Sequence, residues 1–254
     1  MSSYLILRHY IGNVWRFIKT PWQQRIISIS EATSIFACSF DRTGWNHIVQ
    51  TLEAYDVCPD IPLHETQLYN FLKKFCPRNI IDLSGGNRKH SNIPLFTYPW
   101  GMMFLSEGSI EKDAWRSRFC GPSTDEFIEE EYKRIIALYE HMKKTGYQPW
   151  AMNNGFIGGT FLINRHGQRR FVVLQGNHRM AIMAHLGVKR IAVRSITGYL
   201  QRVEEEDISN WALVKKGMFS EDEALMIFRI FFKENGFHIK AWLDEESGKK
   251  LKAI

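Results

Sequence analysis

The run Phe171-Val172-Val173-Leu174-Gln175-Gly176-Asn177-His178-Arg179-Met180-Ala181 constrains this chain more than any other segment. Four consecutive apolar residues, two of them β-branched, read as a buried strand. Gly176 then permits a sharp turn and a close backbone approach. Asn177 suits a helix cap, and residues 177–185 read as a short helix stopped by Gly187. Arg190-Ile191-Ala192-Val193-Arg194 reads as the next strand. A strand that follows its helix after a short loop, as in a β-α-β connection, implies a mixed sheet.

The residues ahead of this run extend the unit. Ser123-Thr124-Asp125-Glu126 has the spacing of a capping box, with Ser123 at the cap and Glu126 three residues on. Phe127, Ile128, Tyr132, Ile135, Ile136, Tyr139 and Met142 then form an apolar stripe with helical period. Lys143 and Lys144 suit the negative end of the helix dipole, and Gly146 and Pro149 mark the exit. Glu129-Glu130-Glu131 reads as the solvated face of this helix. Residues 158–163 and Phe171-Val172-Val173-Leu174 read as two strands joined through Arg165-His166-Gly167-Gln168. The order is helix, strand, strand, helix, strand. The expected fold class is α/β (α+β): a small mixed sheet over residues 111–198, with added N-terminal and C-terminal helical segments.

Residues 1–110 are expected to pack on that core. Asp41-Arg42-Thr43-Gly44 and Asp82-Leu83-Ser84-Gly85-Gly86-Asn87 are turn signals. Leu68, Phe71, Leu72 and Phe75 repeat at helical spacing before Pro77, and Ile80-Ile81-Asp82-Leu83 reads as a short strand. Gly85-Gly86-Asn87-Arg88 follows that strand but precedes no helix pattern, so it reads as a plain turn. Residues 4–25 lack the length of a membrane span and the cleavage site of a signal peptide. Trp15, Phe17, Ile18 and Trp22 alternate with basic residues, which leaves a docked helix or a peripheral membrane contact. Residues 199–254 read as helical, with one piece over residues 207–216. A second capping box at Ser220-Glu221-Asp222-Glu223 leads the apolar stripe Leu225, Ile227, Phe228, Phe231 and Phe232.

The Gly176 turn carries the chemistry. The first amides of a helix have no internal partners, and the dipole adds positive potential, so an anion is the natural occupant. Arg179 can grip phosphate oxygens in a bidentate manner. His178 can donate a hydrogen bond or move a proton near neutral pH. The formal charge of +6 favours anionic partners, but no basic run of nucleic-acid type is present. Cys38, Cys58, Cys76 and Cys120 form no C-x-x-C pair, so they read as reduced, buried thiols of a cytoplasmic protein, with no metal site. The histidines outside the turn, among them His47, His141, His166 and His185, read as having no special role.

The segment Leu174-Gln175-Gly176-Asn177-His178-Arg179-Met180-Ala181, continued by Ala184-His185-Leu186-Gly187-Val188 and Ile191-Ala192-Val193, resembles the signature of the ParB/sulfiredoxin superfamily. Its members run strand, G-x-x-R or G-x-H-R turn, short helix ending in L-G, strand. The resemblance covers about residues 116–197. It implies that Gln175, Gly176, Asn177, His178 and Arg179 hold nucleotide phosphates, aided by Arg118 or Arg116, which stand where sulfiredoxins place a phosphate-touching Arg ahead of the first helix. Sulfiredoxins carry a Cys nucleophile directly before the His-Arg pair. Asn177 occupies that position here, and an amide cannot do thiolate chemistry. ParB partitioning proteins carry a basic recognition helix downstream, and the helices after residue 200 are rich in Phe instead. The branch closest in motif holds small-molecule kinases, such as free-serine kinases.

The expected function is therefore nucleotide-dependent phosphoryl transfer to a small hydroxylated molecule, an amino acid or sugar. ATP or another nucleoside triphosphate and Mg²⁺ are the implied cofactors. His178 is the candidate to orient phosphate or hydroxyl. Asp125 and Glu126 are the candidate catalytic carboxylates, with capping as their competing role. Tyr98, Trp100 and Trp115 line a candidate acceptor cleft or else belong to the core. The alternatives are a ParB-like regulatory module that binds nucleotide or nucleic acid without turnover, and a ParB-like nuclease.

Overall fold

A computed structural model describes residues 24–84, 93, 95–102, 119–150, 155–196 and 199–251. The strands are β1 (Gln24–Ser28), β2 (Ala32–Ser34), β3 (Thr97–Tyr98), β4 (Gly101–Met102), β5 (Ile157–Ile163), β6 (Arg169–Gln175), β7 (Arg190–Ser195) and β8 (Arg202–Glu204). The helices are α1 (His47–Val57), α2 (Gln67–Lys74), α3 (Asp125–Thr145), α4 (Asn177–His185), α5 (Ala212–Lys215), α6 (Glu221–Lys233) and α7 (Phe237–Leu251). The fold is a mixed α/β arrangement around one sheet of order β1-β7-β5-β6-β2.

The hairpin β5–β6 is the centre of that sheet. Asn164 Oδ1 accepts from the amides of His166 and Gln168, and Gly167 takes a positive φ of 73°. The side chain of Asn164 thus reinforces a turn that the backbone also closes, through Asn164 N to Gln168 O and Gly167 N to Asn164 O. Phe171, Val172, Val173 and Leu174 are all buried, so both faces of β6 are covered, which explains why the strand reads as a continuous apolar run. β6 leads through α4 to β7, and β7 lies beyond β5 and parallel to it, not beside β6. The β6–α4–β7 connection therefore joins two strands of opposite sense, and the mixed sheet arises that way. β8 continues the same edge of β5 where β7 leaves it.

Both outer strands come from residues 24–34. β1 pairs antiparallel with β7, and β2 pairs parallel with β6. Gln24 and Arg25 are thus strand residues rather than part of an N-terminal helix. The rest of the membrane-contact stretch, and Gly85-Gly86-Asn87-Arg88, lie outside the described residues.

Several local expectations are corrected. The α3 cap is Thr124, whose hydroxyl accepts from Phe127 N, so Ser123 and Glu126 form no capping box. Ser123 O instead accepts from Lys73 Nζ at 3.0 Å. Residues Ile80–Ser84 are a 3-10 turn, not a strand, because Asn79 Oδ1 accepts from the amides of Ile81 and Asp82 and winds the chain tightly. Residues 207–216 divide into the 3-10 turn Glu205–Asn210 and the short α5. Of the two readings of Tyr98 and Trp100, the core one holds: Tyr98 OH donates to Ile35 O at 2.6 Å, and its ring stacks on Trp100. Trp115 lies outside the described residues. Only Cys38 and Cys120 are buried thiols, and Cys58 is exposed. The Ser220–Glu223 capping box is present as read.

The C-terminal helices close the core. Arg170 Nε donates to Phe231 O and its Nη1 to Ser30 O, which ties α6 to the sheet. α6 and α7 meet at Gly236, where φ is 92° and an added Cβ would stand 2.1 Å from Trp45 O. The Gly236→Ala variant is expected to lose about 3 kcal/mol of unfolding free energy or more, from backbone strain plus overpacking. Urea titration followed by Trp fluorescence checks this, and a change below about 1 kcal/mol would show the contact to be tolerant.

Candidate functional site

Gly176 is the N-cap of α4 and sits in the left-handed region, with φ 93° and ψ 29°. No side chain caps the helix. Asn177 is thus the first helical residue and not the cap. Its Nδ2 reaches back to Val173 O at 3.5 Å, and its Oδ1 is enclosed with no hydrogen-bond partner among the described residues. The first intrahelical bond is Met180 N to Gly176 O, so the amides of Asn177 and His178 have no helical acceptor. Gln175, Gly176, Asn177 and His178 keep partial exposure, so the helix opening is accessible rather than sealed.

Arg179 departs from the expected phosphate clamp. It is 6% exposed, and its Nη1 donates to Gly155 O. A Cβ on Gly176 would stand 2.8 Å from Arg179 Nη2 and 3.2 Å from Nε. The guanidinium therefore lies against the underside of its own turn, and only glycine leaves room for it. Burial lowers its proton affinity, with Tyr147 opposing that shift. A charge here acts on the turn at close range even without an outward grip.

His178 meets a buried carboxylate. Its Nε2 lies 2.8 Å from Glu131 Oε1, and Arg134 donates to the other oxygen of Glu131. Glu131 is 7% exposed, so it is not part of the solvated face that Glu129 and Glu130 occupy. Although burial opposes ionisation, His178 and Arg134 together hold its carboxyl below the ordinary value. His47, the first residue of α1, adds a third group. Its ring stacks on Phe71 at 3.8 Å, and its Nδ1 is enclosed while the residue keeps a little exposed surface. Burial, with His178 next, pushes this imidazole down to about 3, so it stays neutral at physiological pH.

A second cluster fixes the other end of α4. Asp56 accepts from Tyr139 OH at 2.7 Å and lies 2.7 Å from His185 Nε2. Lys143 Nζ stands 3.8 Å from the same carboxylate. Burial of Asp56 is outweighed by these hydrogen bonds, so its carboxyl also sits low. His178 and His185 are seven residues apart, two helical turns, and so share one face of α4. Glu131 from α3 and Asp56 from α1 receive them.

The other sequence candidates lie elsewhere. Asp125 is exposed, 2.9 Å from Lys73 Nζ, and accepts from Tyr69 OH at 3.0 Å. Asp125 precedes Glu131 by about 9 Å of helix rise, so it and the exposed Glu126 face α2 and solvent rather than His178. Arg116 and Arg118 lie outside the described residues. Sequence reading missed Glu131, Asp56, His47 and His185. One signal for Glu131 was present: it stands three residues after Ile128 and four before Ile135, on the buried stripe. Among the described residues no three His, Cys, Asp or Glu side chains are grouped to hold a metal, and no helix is long and apolar enough to cross a membrane.

No family model matches the chain, and neither a curated protein nor a solved structure matches it.

Because Glu131 titrates lower in the folded state, its stabilisation is full above its ordinary value of 4.5 and fades as pH falls through the folded value. The Glu131→Gln variant is expected to be about 1–3 kcal/mol less stable at neutral pH. Its stability should also fall less steeply on acidification. Urea melts across a pH series measure both, and an unchanged acid slope would contradict the pairing.

Proposed function

We propose that this chain is a cytoplasmic, nucleotide-dependent phosphotransferase acting on a small hydroxylated molecule, an amino acid or sugar. The observation that carries the reading is the uncapped, partly exposed start of α4 at left-handed Gly176, with the His178–Glu131 pair in its first turn. The turn fits a phosphate group. The amides of Asn177 and His178 lack helical acceptors, and no side chain caps the helix.

A bound nucleoside triphosphate such as ATP supplies the phosphoryl group, with Mg²⁺ offsetting part of its charge. The amides of Asn177 and His178 hold phosphate oxygens at the helix opening. Gln175 borders that opening, and the Arg179 charge supports it from below. His178 gives its Nε2–H to Glu131, which leaves Nδ1 as the acceptor for a substrate hydroxyl proton. Glu131 is thus the orienting carboxylate, in place of Asp125 and Glu126. Arg134 in turn holds Glu131. Among the described residues no group of three metal-ligating side chains is present, and no residue is assigned to the metal ion.

A second reading rests on the same pair. The His178–Glu131 contact also works as a plain staple between α3 and α4, which suits a ParB-like module that binds nucleotide without turnover.

Calorimetric titration of the full chain with ATP, CTP and GTP in Mg²⁺ is expected to give saturable binding by at least one of them. His178→Ala and Glu131→Gln should then lower turnover about 10²–10⁴-fold, measured as nucleoside diphosphate release with pooled amino acids and sugars, while affinity changes little. Binding without release favours the module, and no binding by any nucleotide removes both readings.

A further inference from the structure

Charge is divided unevenly along this chain. Residues 1–30 carry Arg8, Arg16, Lys19 and Arg25 and no Asp or Glu. Residues 141–203 carry ten lysines and arginines and again no Asp or Glu. With a net charge of +6 for the whole, the other residues hold an excess of acid. The fold brings the two acid-free stretches together, because β1 belongs to the first and β7 to the second, and all of β1 pairs with β7. Segregated charge of this kind gives one side of a molecule a positive field.

β1 is the outer strand of the sheet at this corner. Ile27 and its partner Ile191 are buried, so the neighbouring positions turn to the other face, where Ile26 stands beside Ala192 and Ser28 beside Arg190. Ile26 is 64% exposed. Lys189, whose carbonyl accepts from Ile29 N at 2.9 Å, and Arg190 are both exposed. Among the described residues neither is ion-paired, whereas Arg165, Arg169 and Arg202 of the same stretch each meet a glutamate. The sequence that leads directly into β1 places Trp15, Phe17, Ile18 and Trp22 among Arg16 and Lys19. Trp suits the headgroup level of a bilayer, and Lys and Arg suit the anionic lipids of the same surface. An exposed aliphatic such as Ile26 gains nothing from a nucleic-acid backbone and does gain from acyl chains, which favours lipid.

We propose that the β1–β7 corner, together with residues 15–22, docks on an anionic bilayer. Ile26 and the aromatic side chains enter the interface, and Lys189, Arg190, Arg16 and Lys19 face the lipid headgroups. The two contributions are complementary, since apolar burial holds the chain at the surface and charge selects which surface. The proposal stands apart from the reading of the Gly176 turn.

The test is co-sedimentation of the full chain with vesicles of phosphatidylcholine, alone or mixed with phosphatidylserine. The parent is expected to bind the mixed vesicles at least about 10-fold more tightly than the neutral ones, and to lose that preference in about 1 M salt. Lys189→Glu combined with Arg190→Glu should weaken binding to the mixed vesicles about 10-fold or more, and Trp15→Ala combined with Trp22→Ala about as much. Ile26→Ser should lower it about 3-fold. Lys215→Glu combined with Lys216→Glu, at the exposed end of α5, should bind as the parent does. Thermal melts of each variant report folding. If the charge-reversed variant melts early, Lys189→Gln combined with Arg190→Gln carries the test, with a loss of about 3-fold or more. Parent-like binding by the Lys189 and Arg190 variants or by the tryptophan variant overturns the proposal, as does a parent indifferent to phosphatidylserine. A duplex DNA that binds the parent more tightly than the mixed vesicles do, and loses affinity on the same charge reversal, assigns the corner to nucleic acid and overturns the lipid proposal too.

Discussion

Helix α4 is held at both ends by a histidine against a carboxylate, and the rest of the site depends on that arrangement. The helix is short and nearly all of its middle is buried, from Met180 to Ala184. A short buried helix has little intrinsic stability, so tertiary contacts set its position. His178 and Glu131 fix the first turn, and His185 and Asp56 fix the last. The carboxylates come from α3 and α1, so three helices share one register. Charge-assisted bonds of this kind are short and directional, which suits a turn that must present its amides at a defined angle.

Gly176 shows why one residue can be needed for two reasons. Its positive φ excludes most side chains on backbone grounds. The guanidinium of Arg179 excludes them again, because it fills the place a Cβ would take. The turn and the arginine are thus one packed object. Sequence alone gives Arg179 the role of an outward clamp, since Arg on a short helix is usually exposed. What it lacks is the knowledge that Gly155 O lies within reach and that the inner face of the turn is vacant.

Much of the centre was legible because it is written locally. The β5–β6 hairpin, the glycine turn, the extent of α4 and the capping box of α6 each follow from a few adjacent residues. The failures share a different cause. Thr124 and Ser123 are both good caps, and the choice between them turns on Lys73, which holds the Ser123 carbonyl from another helix. Three successive glutamates look alike by type, and only its spacing from Ile128 and Ile135 marks Glu131 for burial. Asp56 and His185 are far apart along the chain, so no spacing rule joins them. The resemblance to ParB-like turns concerns the motif, while the carboxylates that orient it lie outside the motif.

The placement of β1 and β2 on the two flanks of the sheet has a consequence for biogenesis. Both strands are made early, yet the strands they pair with, β7 and β6, are made late. Until then their amides and carbonyls have no mates, and Ile26 stays bare even afterwards. Closing such long loops is entropically slow, so the nascent chain spends that interval with adhesive segments on show. Without the early strands the motif-bearing middle would present β6 and β7 as its outer strands. Cooperative collapse must wait for the far end of the sheet to leave the ribosome.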